Sequence, residues 1–369
     1  MLTMPDRSTV EHAHPAPPPD PRLPEVTTVA EDEAVLHYPP SSGHRGPAVI
    51  HMEGLRPATE YSAHGVAFRT LDRPPGELLC RVGTVNDLHF GETHAGLIEG
   101  LPTGPVLSSG PGEDPYPETM NGAAADEMEA AGVDLVVAKG DLTDSGRSEE
   151  LAAFVECYGR FGQRLAAIPG NHDVATGPAA YGVAPFTRRP PFAVELPGAI
   201  VALLDTTIAR RATGRVPAEQ VEWLDELAAR ADRPVLVMGH HHPWSPDYQQ
   251  RQADYYGVRP DDSEPLVEVF ARRPRLVGYL AGHTHRNRVR RFSATGPVAW
   301  VEVASVKEFP GCWAEYRVYE GGVLQVMRRI SSPAALDWSD RTRAMFEGAF
   351  AAYSFGRLED RCFRLPLRD

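Results

Sequence analysis

From Leu78 onward the chain repeats one pattern: a short apolar run closed by polar residues, then a segment with helical spacing. "LLCRVGTV", "VDLVVAKG", "RLAAIPG", "AIVALLD", "PVLVMGH" and "RLVGYLAGH" have the length and the flanks of buried strands. "GAAADEMEAAG", "SEELAAFVECYGRFG", "PAEQVEWLDELAARA" and "PLVEVFARR" are the helices between them. Alternation of this kind predicts an α/β domain around a central, buried sheet. Further on, "CWAEYRVYEGG" and "VLQVMRRI" predict an antiparallel pair turning at Gly321 and Gly322, and a last helix near "DWSDRTRAMFEGAFAAY" closes the chain. At 369 residues the chain holds this domain, 78–369, and one small unit before it.

The front of the chain has a different grammar. Residues 1–22 are rich in Pro and small polar residues, without an apolar core segment, and read as a disordered lead-in. Residues 23–75 hold short alternating runs broken by Gly, Pro and Ser, which predict a small all-β module. Its "LRPATEY", Leu55 to Tyr61, resembles the L-x-P-x-T-x-Y stretch of fibronectin type III modules, whose tyrosine hydroxyl bonds back to nearby backbone.

Five of the core strands end in residue types that bind metal. They are "NDLH" (Asp87, His89), "GDLTD" (Asp141, Asp144), "GNHD" (Asn171, His172, Asp173), "GHHHP" (His240, His241, His242) and "GHTH" (His283, His285). Seven of the 14 histidines fall in these stretches. Singly, each motif is weak, because a lone His at a strand end is more often a structural residue. Together they occupy the carboxyl ends of consecutive strands, where open α/β sheets place their sites. Carboxylate, amide and imidazole ligands without thiolate suit Mn, Fe or Zn. The donors are too many for one tetrahedral ion and match two divalent ions sharing a carboxylate, an arrangement suited to phosphoester hydrolysis.

The charge and the cysteines narrow the setting. A net charge of −13 argues against a nucleic-acid backbone as the main partner, and the small basic run Arg286 to Arg291 reads as a solvated strand face. No run approaches the ~18 apolar residues of a membrane helix. Cys80, Cys157, Cys312 and Cys362 are widely spaced and form no C-x-x-C pair, as expected of reduced thiols in a cytoplasmic protein. The oligomeric state is not legible.

The ordered set D-x-H, G-D-x-x-D, G-N-H-D, H-x-P, G-H-x-H resembles the calcineurin-like metallophosphoesterases, over about residues 78–330. The resemblance implies a four-layer α/β/β/α sandwich with both metals above the sheet. By position it implies Asp87, His89 and His285 on the first metal, Asn171, His283 and one histidine of the triplet on the second, and Asp141 bridging. The H-x-P rule selects His241 from the triplet; an alignment anchored on Gly239 selects His240. His172 falls on the family's non-ligand histidine, which assists the leaving alkoxide while a metal-bridging hydroxide attacks in line. Asp144 and Asp173 remain supporting or structural candidates. The motifs are most similar to the branch of class III cyclic-nucleotide phosphodiesterases and glycerophosphodiesterases, and they lack the tyrosine ligand of the purple acid phosphatases near Asp141. The expected substrate is therefore a small phosphodiester such as a cyclic nucleotide. A phosphomonoesterase or phosphoprotein phosphatase, and a non-catalytic scaffold, are the alternatives. Selectivity should lie in the connections Phe90–Met120 and Trp244–Glu264 and in the loop Val174–Phe192.

Overall fold

The computed structural model describes residues 20, 22–98, 100–252, 255–365 and 367–368. The Pro-rich lead-in expected over 1–22 lies outside them, except for Asp20 and Arg22.

Two six-stranded sheets form the body. In the first, Leu165–Ile168, Leu135–Lys139 and Leu78–Val85 run parallel, followed by antiparallel Cys312–Tyr319, Gly322–Arg329 and Cys362–Leu365. In the second, Ala199–Leu203, Val235–Met238, Leu276–Ala281 and Ala299–Glu302 are parallel, with Phe192–Leu196 and Arg288–Arg290 as antiparallel edges. Strand Phe192–Leu196, not expected from sequence, pairs through a tight turn at Pro197 and Gly198.

The period-2 alternation of each strand splits its side chains between two cores. Leu135 and Val137 meet Leu236, Met238, Val277 and Leu280 of the other sheet in a shared core. Val136 and Ala138 face the opposite way, into a second core with Met120, Ala124 and Phe154 from helices Tyr116–Ala130 and Ser148–Tyr158. Val235, Val237 and Tyr279 pack in a third core against Leu224, Leu266 and Phe270 from helices Ala218–Arg230 and Pro260–Arg272. The parallel strands are thus mostly apolar on both faces, Arg81 and Thr84 of Leu78–Val85 being exceptions, and the clusters of polar residues lie at their ends.

The 23–75 segment forms a three-stranded sheet, Glu25–Val29, Glu33–His37 and Val49–Glu53, and a hairpin, Glu60–Ala63 with Val66–Arg69. The Tyr61 hydroxyl accepts the backbone N–H of Arg56 at 2.8 Å. The segment is docked rather than tethered. Val29, Ala34 and Phe68 belong to the core between the two large sheets, and Thr28 Oγ1 donates to the carbonyl of Met327 at 2.7 Å. Arg317 pairs with Glu31 at 2.7 Å, and Arg328 with Glu33 at 2.6 Å.

Two local expectations are corrected. The turn after Cys312–Tyr319 uses Glu320 and Gly321, because Tyr319 pairs directly with Gly322, which opens the next strand. The Arg286–Arg291 run is not a solvated face. Arg286, just before strand Arg288–Arg290, and Arg290 at its end both turn inward to the buried Glu302, at 3.0 and 3.3 Å, because that strand pairs with Ala299–Glu302. No helix among the described residues is long and apolar enough to cross a membrane.

Candidate metal centre

The five polar strand ends converge on one place. Asp87, His89 and His285 bring ligand atoms within 4.8 Å of one another, as do Asp87, Asp141 and His240, and His240, His241 and His283. His89, Asp144 and His172 form a fourth such group beside them.

The chain does not reach this geometry by extended strands. Asp87, His89, Asp141, His283 and His285 all have φ between 50° and 69°, in the left-handed region that non-glycine residues rarely occupy. Backbone bonds between the loops hold them there. The N–H groups of Leu88 and His89 donate to the Asp141 carbonyl at 2.8 and 3.0 Å, and that of Asp87 to Gly140 at 3.1 Å. Such strain persists only where the surroundings over-determine it, and it clusters at functional sites. Gly140 and Gly170 permit the close approach: a Cβ on Gly140 would lie 2.6 Å from His240 Nδ1, and one on Gly170 would lie 2.2 Å from Asp141 Oδ1.

Several candidate ligands are held by a second residue. Asn86 donates to Asp87 Oδ2 at 2.6 Å and the N–H of His283 reaches both Asp87 oxygens at 3.0 Å. His240 Nδ1 donates to the Lys139 carbonyl at 2.9 Å, which turns Nε2 inward. Sequence reasoning missed Asn86 and Glu308, whose carboxylate bonds to His285 Nδ1. Asp173 is structural: its carboxylate accepts the N–H groups of Leu142, Thr143 and Gly170 at 2.8 to 3.1 Å, fixing the turns that present Asp141 and Asn171. His172 donates from Nδ1 to the Asp144 carbonyl at 2.6 Å, and its N–H donates to Asp141 Oδ1 at 2.8 Å.

The triplet departs from the H-x-P reading. His240 Nε2 sits 3.2 Å from both Asp141 Oδ2 and Asn171 Oδ1. His241 instead engages Thr206 Oγ1 at 2.8 Å through Nδ1 and the Ala212 carbonyl at 3.1 Å through Nε2. The strand ends at Met238, so its alternation does not extend through Gly239 to the histidines. His242 lies further out, its ring 5.2 Å from Tyr255, while Tyr256 stacks on His283 at 4.1 Å. From the loop 174–192, Arg188 lies over the Phe192 ring rather than in the centre.

The donors fit a metal. Both ring nitrogens of His89, and Nε2 of His283, are buried without a hydrogen-bond partner, an arrangement that a protein seldom leaves unused. Burial, then the positive Lys307, holds His89 well below its ordinary pKa; burial and the neighbouring His241 do the same for His283. Neutral imidazole is the form that ligates. Burial opposes charge on His240 as well, but the Asp141 carboxylate outweighs it and raises this histidine to about 9.

The four thiols are unpaired, and burial pushes Cys80 and Cys312 up to about 12, which disfavours their reactive thiolate form.

Comparison with known proteins points to one family. The model of the calcineurin-like phosphoesterase family matches residues 80–287. A probable cyclic nucleotide phosphodiesterase of Synechococcus sp. is 28% identical over 154 residues, 42% of this chain and 58% of the relative's length. A glycerophosphodiester phosphodiesterase of Enterobacter lignolyticus is 27% identical over 199 residues, 50% of this chain and 67% of the relative. The 3′,5′-cyclic adenosine monophosphate phosphodiesterase of Escherichia coli is 28% identical over 225 residues, 57% of this chain and 71% of the relative. In fold alone, a dimetal phosphatase from Danio rerio superposes with a TM-score of 0.52 at 13% identity, over 69% of this chain and 98% of the other.

Proposed function

The chain belongs to the calcineurin-like phosphoesterase family, and from that premise we propose that it is a metal-dependent phosphodiesterase with a binuclear centre, acting on a small diester such as a cyclic nucleotide. The observation that carries this reading is the convergence of Asp87, His89, Asp141, Asn171, His240, His283 and His285, with buried imidazole nitrogens left for a ligand that the protein itself does not supply. In the proposal Asp87, His89 and His285 hold one ion, Asn171, His283 and His240 hold the other, with His240 in the place read from sequence as His241, and Asp141 lies between. The names of the three relatives support a diester over a monoester substrate. The three cores support the helix–sheet–sheet–helix layering the family implies, and the Tyr61–Arg56 bond supports a fibronectin-like reading of 23–75.

Two divalent ions bound here supply a nucleophile at neutral pH and neutralise the phosphoryl charge. The residues do the rest. Asp141 is held by the backbone of His172, so the carboxylate between the two ligand groups cannot rotate away. His172 keeps its Nδ1 proton on the Asp144 carbonyl, which leaves Nε2 to carry the proton that a departing alkoxide needs. A rate comparison on cyclic nucleotides, glycerophosphodiesters, bis(p-nitrophenyl) phosphate and p-nitrophenyl phosphate, with Mn²⁺, Zn²⁺ and Fe²⁺, tests the proposal. Diesters should turn over at least tenfold faster than the monoester; the reverse order would replace it with a phosphomonoesterase.

A further inference from the structure

We propose that Glu308 is a positioning residue for the first metal: braced by Lys307 and Glu92, it holds the His285 ring so that Nε2 points at Asp87. The inference rests on reading His285 as a ligand. Glu308 lies outside every motif that the family resemblance uses, and its role follows from the course of the chain.

The segment 303–311 leaves strand Ala299–Glu302 of one sheet and enters Cys312–Tyr319 of the other, passing behind the centre. On the way it touches two of the three candidate ligands of the first metal. Ser305 Oγ donates to the backbone carbonyl of Asp87 at 3.1 Å, and the N–H of Val306 donates to Asn86, whose side chain holds the Asp87 carboxylate. Glu308 then accepts from Nδ1 of His285. An ionised carboxylate can only accept, so Nδ1 carries the ring proton and Nε2 keeps its lone pair, 3.5 Å from Asp87 Oδ1.

The carboxylate is itself anchored. Lys307 Nζ lies 3.8 Å from Glu308 and bonds to Glu92, and the Lys307 and Glu308 side chains are each 5% exposed. Three charges buried side by side persist only when they alternate in sign and are hydrogen-bonded, as these are. The helix Pro333–Thr342 fixes the brace from outside: Trp338 Nε1 donates to the Lys307 carbonyl at 2.7 Å, and Thr342 Oγ1 accepts from the N–H of Phe309 at 2.8 Å. His240 has a backbone carbonyl in this role and His89 has no hydrogen-bonded partner on either ring nitrogen. A carboxylate on the far nitrogen fixes the tautomer and raises ligand basicity, and losing such a partner typically weakens metal binding about 10–100-fold.

The test uses the full chain, stripped of metal and titrated with Mn²⁺ by calorimetry, as wild type, Glu308→Gln and Glu308→Ala, with thermal midpoints of the stripped proteins measured alongside. Both variants should lose about 10–100-fold in affinity at one site and keep the other within about twofold. The stripped midpoint of the near-isosteric Glu308→Gln should stay close to wild type. Unchanged Mn²⁺ affinities in both variants would overturn the positioning role and leave the reading of the centre standing. Equal weakening at both sites with a lowered stripped midpoint would mark Glu308 as merely structural and overturn it too. A wild type that binds no Mn²⁺ would overturn the reading of the centre together with this inference.

Discussion

His240 Nε2 lies 3.2 Å from Asp141 Oδ2, and the same nitrogen is 3.2 Å from Asn171 Oδ1, so one imidazole joins the ends of three strands. His241, its neighbour, is spent on Thr206 and Ala212. His240→Ala should therefore remove about one metal equivalent per chain and nearly all turnover. His241→Ala should keep most of the metal and lose activity only in part, through the Thr206 contact. Metal analysis of the two purified variants checks this, and retention of full metal by His240→Ala would refute the assignment.

His172 is placed as a proton donor rather than a ligand. His172→Ala should keep its metal content and lose about 10²–10⁴-fold in kcat on a diester with an alkoxide leaving group. The loss should be much smaller with p-nitrophenolate, which leaves without help. Equal losses on both substrates would argue against proton donation by the His172 side chain, since the backbone N–H that holds Asp141 is kept in the variant.

A methyl group at residue 170 has no room, since its Cβ would fall 2.2 Å from the backbone nitrogen and Oδ1 of Asp141. Gly170→Ala should displace Asp141 and lower diester turnover at least 100-fold, with metal content reduced. Normal turnover in that variant would mean that the tight packing of these loops is not required.

Away from the centre, Glu315 lies against Arg317 and Arg328, the two arginines that tie the front module to the body. Burial alone would raise its carboxyl, but Arg328, Arg317 and Arg81 outweigh it and bring it from 4.5 to about 2. A depressed folded-state pKa gives stability that is complete above about 4.5 and is lost as pH falls toward 2. Glu315→Gln should thus flatten the decline of the thermal midpoint between pH 5 and 2. It should also lower stability at neutral pH, by up to about 3 kcal/mol, because the buried Arg317 and the partly buried Arg328 lose one of their carboxylates while keeping Glu31 and Glu33. Melting curves across that pH range for both proteins decide the point.

The strand ends were legible because strands buried on both faces carry few polar residues elsewhere, and the motifs sit where Val85, Lys139, Ile168, Met238 and Ala281 end their strands. What the residues do beyond those ends was not. Left-handed φ at Asp87 or His283 has no signature in a residue type, and alternation extrapolated past Met238 did not place His240 beside Asp141 and Asn171. Charges were hardest to place. Arg286 and Arg290 read as solvated because their partner, Glu302, lies on another strand, and Glu308 carries no motif at all. Arg317 and Glu31 lie 286 residues apart, so the docking of the front module could not be read from local pattern.

In the proposed function, seven side chains from two sheets form one metal-dependent hydrolytic centre. Its most direct test is diester hydrolysis by protein stripped with a chelator and then titrated with Mn²⁺. Activity should be absent at first and should rise to a plateau near two equivalents per chain, with Asp141→Asn remaining inactive throughout. Full activity in the stripped protein, or an unresponsive titration, would contradict it.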